Sequence, residues 1–162
     1  MKTPVEAKIV GLSISNGGVP KTPVQTANVG PLGLKGDKQG DTEHHGGPER
    51  ALCLYSLEVM KGLNAEGHPI APGTTGENVL ISGLEWSEVR PGCRYRLGDQ
   101  VEIEIASYAT PCYKIRASFL DDNFNRIHHK KHLTESRLYV RVLQGGIIAV
   151  GDAVHDLTET KN

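Results

Sequence analysis

Apolar residues alternate with polar ones from Val5 to Ile14 (Val5, Ala7, Ile9, then Leu12 and Ile14), the period of a half-buried strand. The alternation slips near Gly11, which predicts a β-bulge. Ser15 to Pro20 reads as a turn. Lys21 to Asp41 is Gly-rich and polar, yet Val24, Val29, Leu32 and Leu34 keep recurring, so it reads as strand and loop rather than as a linker. Ala51-Leu52-Cys53-Leu54-Tyr55 fits a buried strand. Ser56 then caps a helix whose Leu57, Met60 and Leu63 are spaced near 3.6. His68 to Gly76 is a Pro- and Gly-bearing loop, and Asn78 to Ser82 a strand. Val101-Glu102-Ile103-Glu104-Ile105 is the cleanest alternating strand.

Thr110-Pro111 predicts a helix start, with Thr as N-cap, Pro in the first helical position and Ile115, Phe119 and Leu120 as the apolar face. A second helical piece is expected over Asn123 to Leu133. Leu138 to Leu143 reads as a strand, Gly145-Gly146 as a turn, and Ile147 to Val154 as a closing strand. Leu97-Gly98-Asp99-Gln100-Val101 and Val150-Gly151-Asp152-Ala153-Val154 share an apolar-Gly-Asp-x-Val pattern. Both read as tight structural entries to strands of a barrel or sandwich.

Composition narrows the function classes. The 162 residues suit one domain, and 19 Gly with 9 Pro favour turns over long helices. A net charge of −1 leaves no electrostatic footprint for nucleic acid or an anionic membrane. No apolar run follows Met1-Lys2-Thr3-Pro4 and none approaches the roughly 20 residues of a membrane span. A soluble cytoplasmic chain is expected. Cys53, Cys93 and Cys112 are too few for a four-cysteine cluster, and their odd number argues against a disulfide framework. There is no phosphate-binding GxxxxGK[ST] loop, no GxGxxG after a strand and no GxSxG elbow.

Cys112 is the sharpest chemical feature. In the first turn of a helix, with Lys114 and Arg116 close in sequence, its thiolate would be favoured, and thiolate binds soft metals or attacks electrophiles. The same position also suits a small buried apolar residue. Cys53 reads as core and Cys93 as a turn residue. His44-His45-Gly46-Gly47, followed by Arg50, offers polar tips on a permissive backbone and a guanidinium fork suited to phosphate. It reads equally as an exposed polar loop, and adjacent histidines make a poor metal site. His128 and His132 are four apart, but the intervening His129-Lys130-Lys131 lacks the Glu of a zinc HExxH motif. That stretch reads as a solvated helix face.

Several segments in fixed order resemble the molybdenum cofactor sulfurase C-terminal (MOSC) domain, in its small stand-alone bacterial form. They are Gly36-Asp37, Asp41 to Ala51 with His44-His45-Gly46-Gly47, Gly76-Glu77-Asn78, Pro111-Cys112, Arg137 to Leu143, and Gly151-Asp152. The resemblance covers about residues 9–154 and implies a mainly β (α+β), barrel-like single domain with a few short helices. It implies binding of molybdenum cofactor, molybdopterin carrying Mo, with Cys112 as metal ligand or sulfur carrier and as the catalytic residue. Lys35, Asp37, His45, Gly46, Arg50 and Asn78 would line the cofactor pocket. The activity implied is reduction of a small N-hydroxylated substrate such as hydroxylaminopurine. No aminotransferase-like or ferredoxin-like domain is expected in the chain, so electrons would come from separate donor proteins. The alternatives are a sulfur carrier with a persulfide on Cys112, and a non-catalytic cofactor-binding or storage protein.

Overall fold

The computed structural model describes residues 6–15, 19–37 and 47–158. Val5, residues 16–18 of the turn expected at 15–20, and the His44-His45-Gly46 segment lie outside the described residues.

The chain runs β1 (Lys8–Ile14), β2 (Thr22–Val24), β3 (Thr26–Gly30), β4 (Gly33–Leu34), β5 (Leu52–Ser56), α1 (Leu57–Ala65), β6 (Val79–Ser82), β7 (Arg94–Leu97), β8 (Val101–Tyr108), β9 (Leu138–Gln144), β10 (Gly146–Ala149) and β11 (Val154–Asp156). One sheet has the order β11-β7-β8-β9-β5-β6-β1-β2, and β10-β3-β4 form a second. The pairs are antiparallel except β5 with β6. A parallel pair needs a crossover, and α1 lies within it. Ser56 ends β5 and caps α1, its Oγ accepting from the Val59 amide at 3.2 Å, while Met60 and Leu63 face inward.

The large sheet curls until its ends meet. Lys8 bridges Ala153, the Ile9 amide donates to the Asp152 carbonyl at 2.8 Å, and the Val154 amide to that of Ala7 at 2.9 Å. Strands β11 to β1 thus form a barrel-like ring in which little edge is left unpaired. The bulge expected near Gly11 is present as a register shift between Ile9 and Gly11 against β6. Inside the ring, Ile9, Leu52, Leu54, Leu97, Val101, Ile103, Ile105 and Val140 are fully buried. Each such side chain contributes roughly 1.5–3 kcal/mol by leaving water. Among the described residues no helix is long and apolar enough to cross a membrane.

Three expectations are corrected. The helix predicted from Thr110-Pro111 is a six-residue 3-10 segment, Tyr113–Ser118. Cys112, not Thr110, takes the N-cap position, with extended backbone (φ −130°, ψ 167°). The piece predicted over Asn123–Leu133 is two short 3-10 turns, Phe124–Ile127 and Leu133–Glu135. Positive φ at Asp121 and Asp122 and extended backbone at His128 interrupt any continuous helix. Anchors across the chain hold this stretch instead: Ile127 is buried, and Arg126 bridges Glu66 at 2.8 Å and Glu135 at 3.0 Å. The closing strand divides into β10 and β11 around Gly151, whose φ of +99° makes the turn. Gly98, in the matching motif, makes the turn between β7 and β8 with φ +66°.

Candidate functional site

Where β8 leaves the barrel, Thr110-Pro111-Cys112 forms one wall of a cleft of about 280 Å3, half-exposing Cys112. Ser107 and Tyr108 at the end of β8, Tyr139 on β9, and Arg50 complete the lining. The sheet register sets this arrangement. Ser107 pairs with Tyr139 and Tyr108 with Leu138, after a register shift between Ile105 and Ser107. Arg50 ends the 3-10 turn Pro48–Arg50, and the next amide, Ala51, donates to the Val140 carbonyl at 2.9 Å. The turn therefore enters β5 beside Tyr139.

Arg50 supplies positive charge to the cleft, its guanidinium 5.6 Å from the centre of the Tyr139 ring. The neighbouring Glu49 is held by Arg141 at 2.6 Å, and Arg141 also pairs with Glu104, which bonds Arg94 at 2.7 Å. This chain of ion pairs ties the turn to β9, β8 and β7. Burial, followed by the nearby Cys53, pushes the Tyr139 phenol up to about 12, so it stays neutral and can donate a hydrogen bond at physiological pH. One face of the Tyr108 ring is covered by His129, whose ring centre lies 5.4 Å away and whose plane is 11° from parallel.

A second cluster lies on the other side of β5. Asp37 Oδ1 accepts from the Ser15 amide at 2.7 Å, and Oδ2 accepts from Lys21 Nζ and Asn78 Nδ2, each at 3.0 Å. Asn78 Nδ2 also donates to the Ser13 carbonyl at 3.2 Å, while its Oδ1 accepts from the Cys53 amide at 3.0 Å. The Lys21 and Asp37 side chains are 6% and 3% exposed, so their charges are matched to each other away from water. Cys53 pairs in register with Tyr139, and both pack with Ala109. The cluster thus sits against β5, whose other neighbour β9 carries Tyr139 into the cleft. Glu77, next to Asn78, accepts from the Gly73 amide at 2.7 Å and the Thr75 hydroxyl at 2.7 Å, and burial pushes its carboxyl above the usual range. Buried Arg137 donates to the Thr75 carbonyl at 2.6 Å, and its Nε has no hydrogen-bond partner.

Cys112 and Arg50 are therefore brought into one cleft, and Asp37 and Asn78 into one buried cluster. Lys35 is exposed, its amide bonded to the Asn28 carbonyl at 2.8 Å. His45 and Gly46 lie outside the described residues. Sequence reasoning missed Lys21, Tyr108 and Tyr139. Lys21 meets Asp37 across 16 residues with no local signal. The tyrosines carried a weak one: the chain has only 5, and two face this cleft. Among the described residues no three His, Cys, Asp or Glu side chains cluster as a metal site.

Comparison with known proteins agrees with this architecture. Protein YiiM of Escherichia coli is 35% identical over 92 residues, which are 54% of this chain and 41% of that protein. The uncharacterized protein YflK of Bacillus subtilis is 28% identical over 120 residues, 73% of this chain and 52% of YflK. A protein named Reductase from Gibberella moniliformis is 30% identical over 127 residues, 75% of this chain and 22% of that protein. The chain thus spans about half or less of the length of these relatives. The crystal structure of YiiM from Geobacillus stearothermophilus superposes with a TM-score of 0.72 at 26% identity, covering 93% of this chain and 75% of that one. The YUAD protein from Bacillus subtilis shares the fold, with a TM-score of 0.75 at 17% identity over 99% of this chain and 100% of that one. The family model for the MOSC domain matches residues 41–155, and the chain belongs to the MOSC domain family.

Proposed function

We propose that this chain binds molybdenum cofactor in the Cys112 cleft and serves as the reductase component for small N-hydroxylated compounds such as hydroxylaminopurine. The observation that carries the reading is a half-exposed thiol in a cleft that also holds a guanidinium. The residues fit the group. A thiolate is a soft donor suited to molybdenum, and a guanidinium fork suits the cofactor's phosphate. Cys112 would act as the protein ligand to a metal that arrives with its own dithiolene sulfurs.

When bound, the cofactor supplies a two-electron reduction that, with two protons, converts an N–OH group into N–H and water. Cys112 would hold the metal through its sulfur. Arg50 would orient the anionic part of the cofactor, its guanidinium steadied against the Tyr139 ring. The buried Asp37–Asn78–Lys21 cluster holds β5 and β6 rigid beside β9. The electrons would be supplied by a redox donor. The relative named Reductase supports the activity class.

The test is anaerobic reduction of 6-N-hydroxylaminopurine by cofactor-loaded protein with a supplied electron donor, alongside elemental analysis for molybdenum. The native chain should retain molybdenum and turn over, and Cys112→Ala should lose both while keeping its unfolding midpoint. Bound molybdenum without turnover of any N-hydroxy compound would remove the reductase reading.

A further inference from the structure

The cleft has an aromatic wall that its thiol and guanidinium do not account for. Tyr108 lines the cleft, and His129 lies flat against one face of its ring. His128 stacks on His129 in turn, with ring centres 4.7 Å apart and planes 28° from parallel. The three rings make a short column, and both histidines are half-buried. His129 Nδ1 is buried without a hydrogen-bond partner, so ring packing rather than a bond from that nitrogen holds the imidazole in place. Leaving a buried nitrogen unsatisfied costs free energy, and the stack offsets it. The pairing of Tyr108 with Leu138 fixes the other end of the column to the barrel.

A ring backed in this way loses little freedom when a guest packs on it, which favours binding of flat molecules. His129 covers one face of the Tyr108 ring, and Tyr108 itself lines the cleft. We propose that Tyr108, backed by His129 and His128, is the stacking wall that receives the flat face of a planar nitrogen heterocycle in the Cys112 cleft. Base-on-aromatic stacking is tolerant of substituents because every such ring has a π face. The wall would therefore select heteroaromatic over aliphatic N-hydroxy compounds. The inference rests on the cleft being the ligand site proposed above. The heterocycle could be a purine substrate or the pterin of the cofactor, which share this chemistry.

The experiment uses cofactor-free protein, so it stands apart from any failure of turnover. 2-Aminopurine fluorescence is titrated with the native chain, Tyr108→Phe, Tyr108→Leu, His129→Phe and His129→Leu, and a parallel arm titrates pterin. The native chain should quench the probe, and both Phe variants should bind within about twofold of it. Both Leu variants should weaken binding, Tyr108→Leu by about 5- to 150-fold, the range expected for one lost stack. Should Tyr108→Leu fail to fold, His129→Leu carries the comparison. Dependence on Tyr108 in the aminopurine arm assigns the wall to substrate, and in the pterin arm alone to cofactor. Binding unchanged in the Leu variants, or no binding of either probe by the native chain, overturns the proposal.

Discussion

The guanidinium of Arg50 sits over the ring of Tyr139, 5.6 Å from its centre, and both side chains line the cleft of Cys112. A cation held on an aromatic face keeps its charge while its position is set by packing. Its field should reach the thiol, and the reagents iodoacetate and iodoacetamide, which differ in charge, read that field. In Arg50→Ala the ratio of the iodoacetate to the iodoacetamide rate at Cys112 should fall by about fivefold at low salt, the size of one charge acting at close range in a wet site. The difference should shrink as salt is added. Peptide mass spectrometry follows Cys112 separately from Cys53 and Cys93. An unchanged ratio would show that Arg50 does not act on the thiol.

The Asp37–Asn78 pair supports the barrel from inside. Asn78→Ala removes the acceptor for the Cys53 amide and a donor to Asp37. It should lower unfolding stability by roughly 1–3 kcal/mol for each buried group left unpaired. Asp37→Asn leaves the Lys21 ammonium buried without its counter-charge and should cost about 3–5 kcal/mol. Urea titrations measure both. A change within experimental error for Asp37→Asn would mean that Lys21 finds water when the pair is broken.

Gly33 opens β4 with φ +121°, and a Cβ built there would overlap the Ala51 carbonyl oxygen. Ala51 directly follows Arg50, so Gly33→Ala should disturb the cleft as well as β4. A loss of roughly 1–3 kcal/mol is expected from the left-handed backbone alone. Slower or faster alkylation of Cys112 in this variant, at a distance from the substitution, would report the coupling.

His129 makes stability depend on pH. Burial first, and then electrostatic interaction with His128 and Lys130, hold its imidazole below the ordinary value of 6.5. The unfolded chain therefore takes up this proton before the folded chain does. The contribution is fully present above pH 6.5 and is lost as pH falls from there through the folded-state value. His129→Phe keeps the stack on Tyr108 without a titrating nitrogen. Its stability should fall less than that of the native chain between pH 7.5 and pH 5, as followed by urea midpoints. Parallel curves for the two proteins would count against a buried neutral His129.

Much of the fold was legible because it rests on local periodicity. The alternation in Val101–Ile105, the Ser56 cap ahead of Leu57, Met60 and Leu63, and the slip at Gly11 are each written within a few residues, and each appears where expected. The helix at Thr110-Pro111 was misread for the converse reason. Its cap and first-turn residues agree with a helix, but extended backbone at Cys112 and again at Phe119 limits it to one short 3-10 segment, with Ile115 and Phe119 packed into the core.

The site divides along the same line. By itself the sequence determined that Cys112 follows a proline at the end of a strand and that Arg50 precedes another, since both depend only on neighbouring residues. Only the tertiary structure decided that these two share a cleft with Tyr108 and Tyr139, and that Asp37 and Asn78 turn inward to Lys21. Those outcomes follow from barrel closure and strand register. A shift of one position between β8 and β9 would turn Tyr139 to the opposite face, and no pattern within a single strand reports which register its neighbours select.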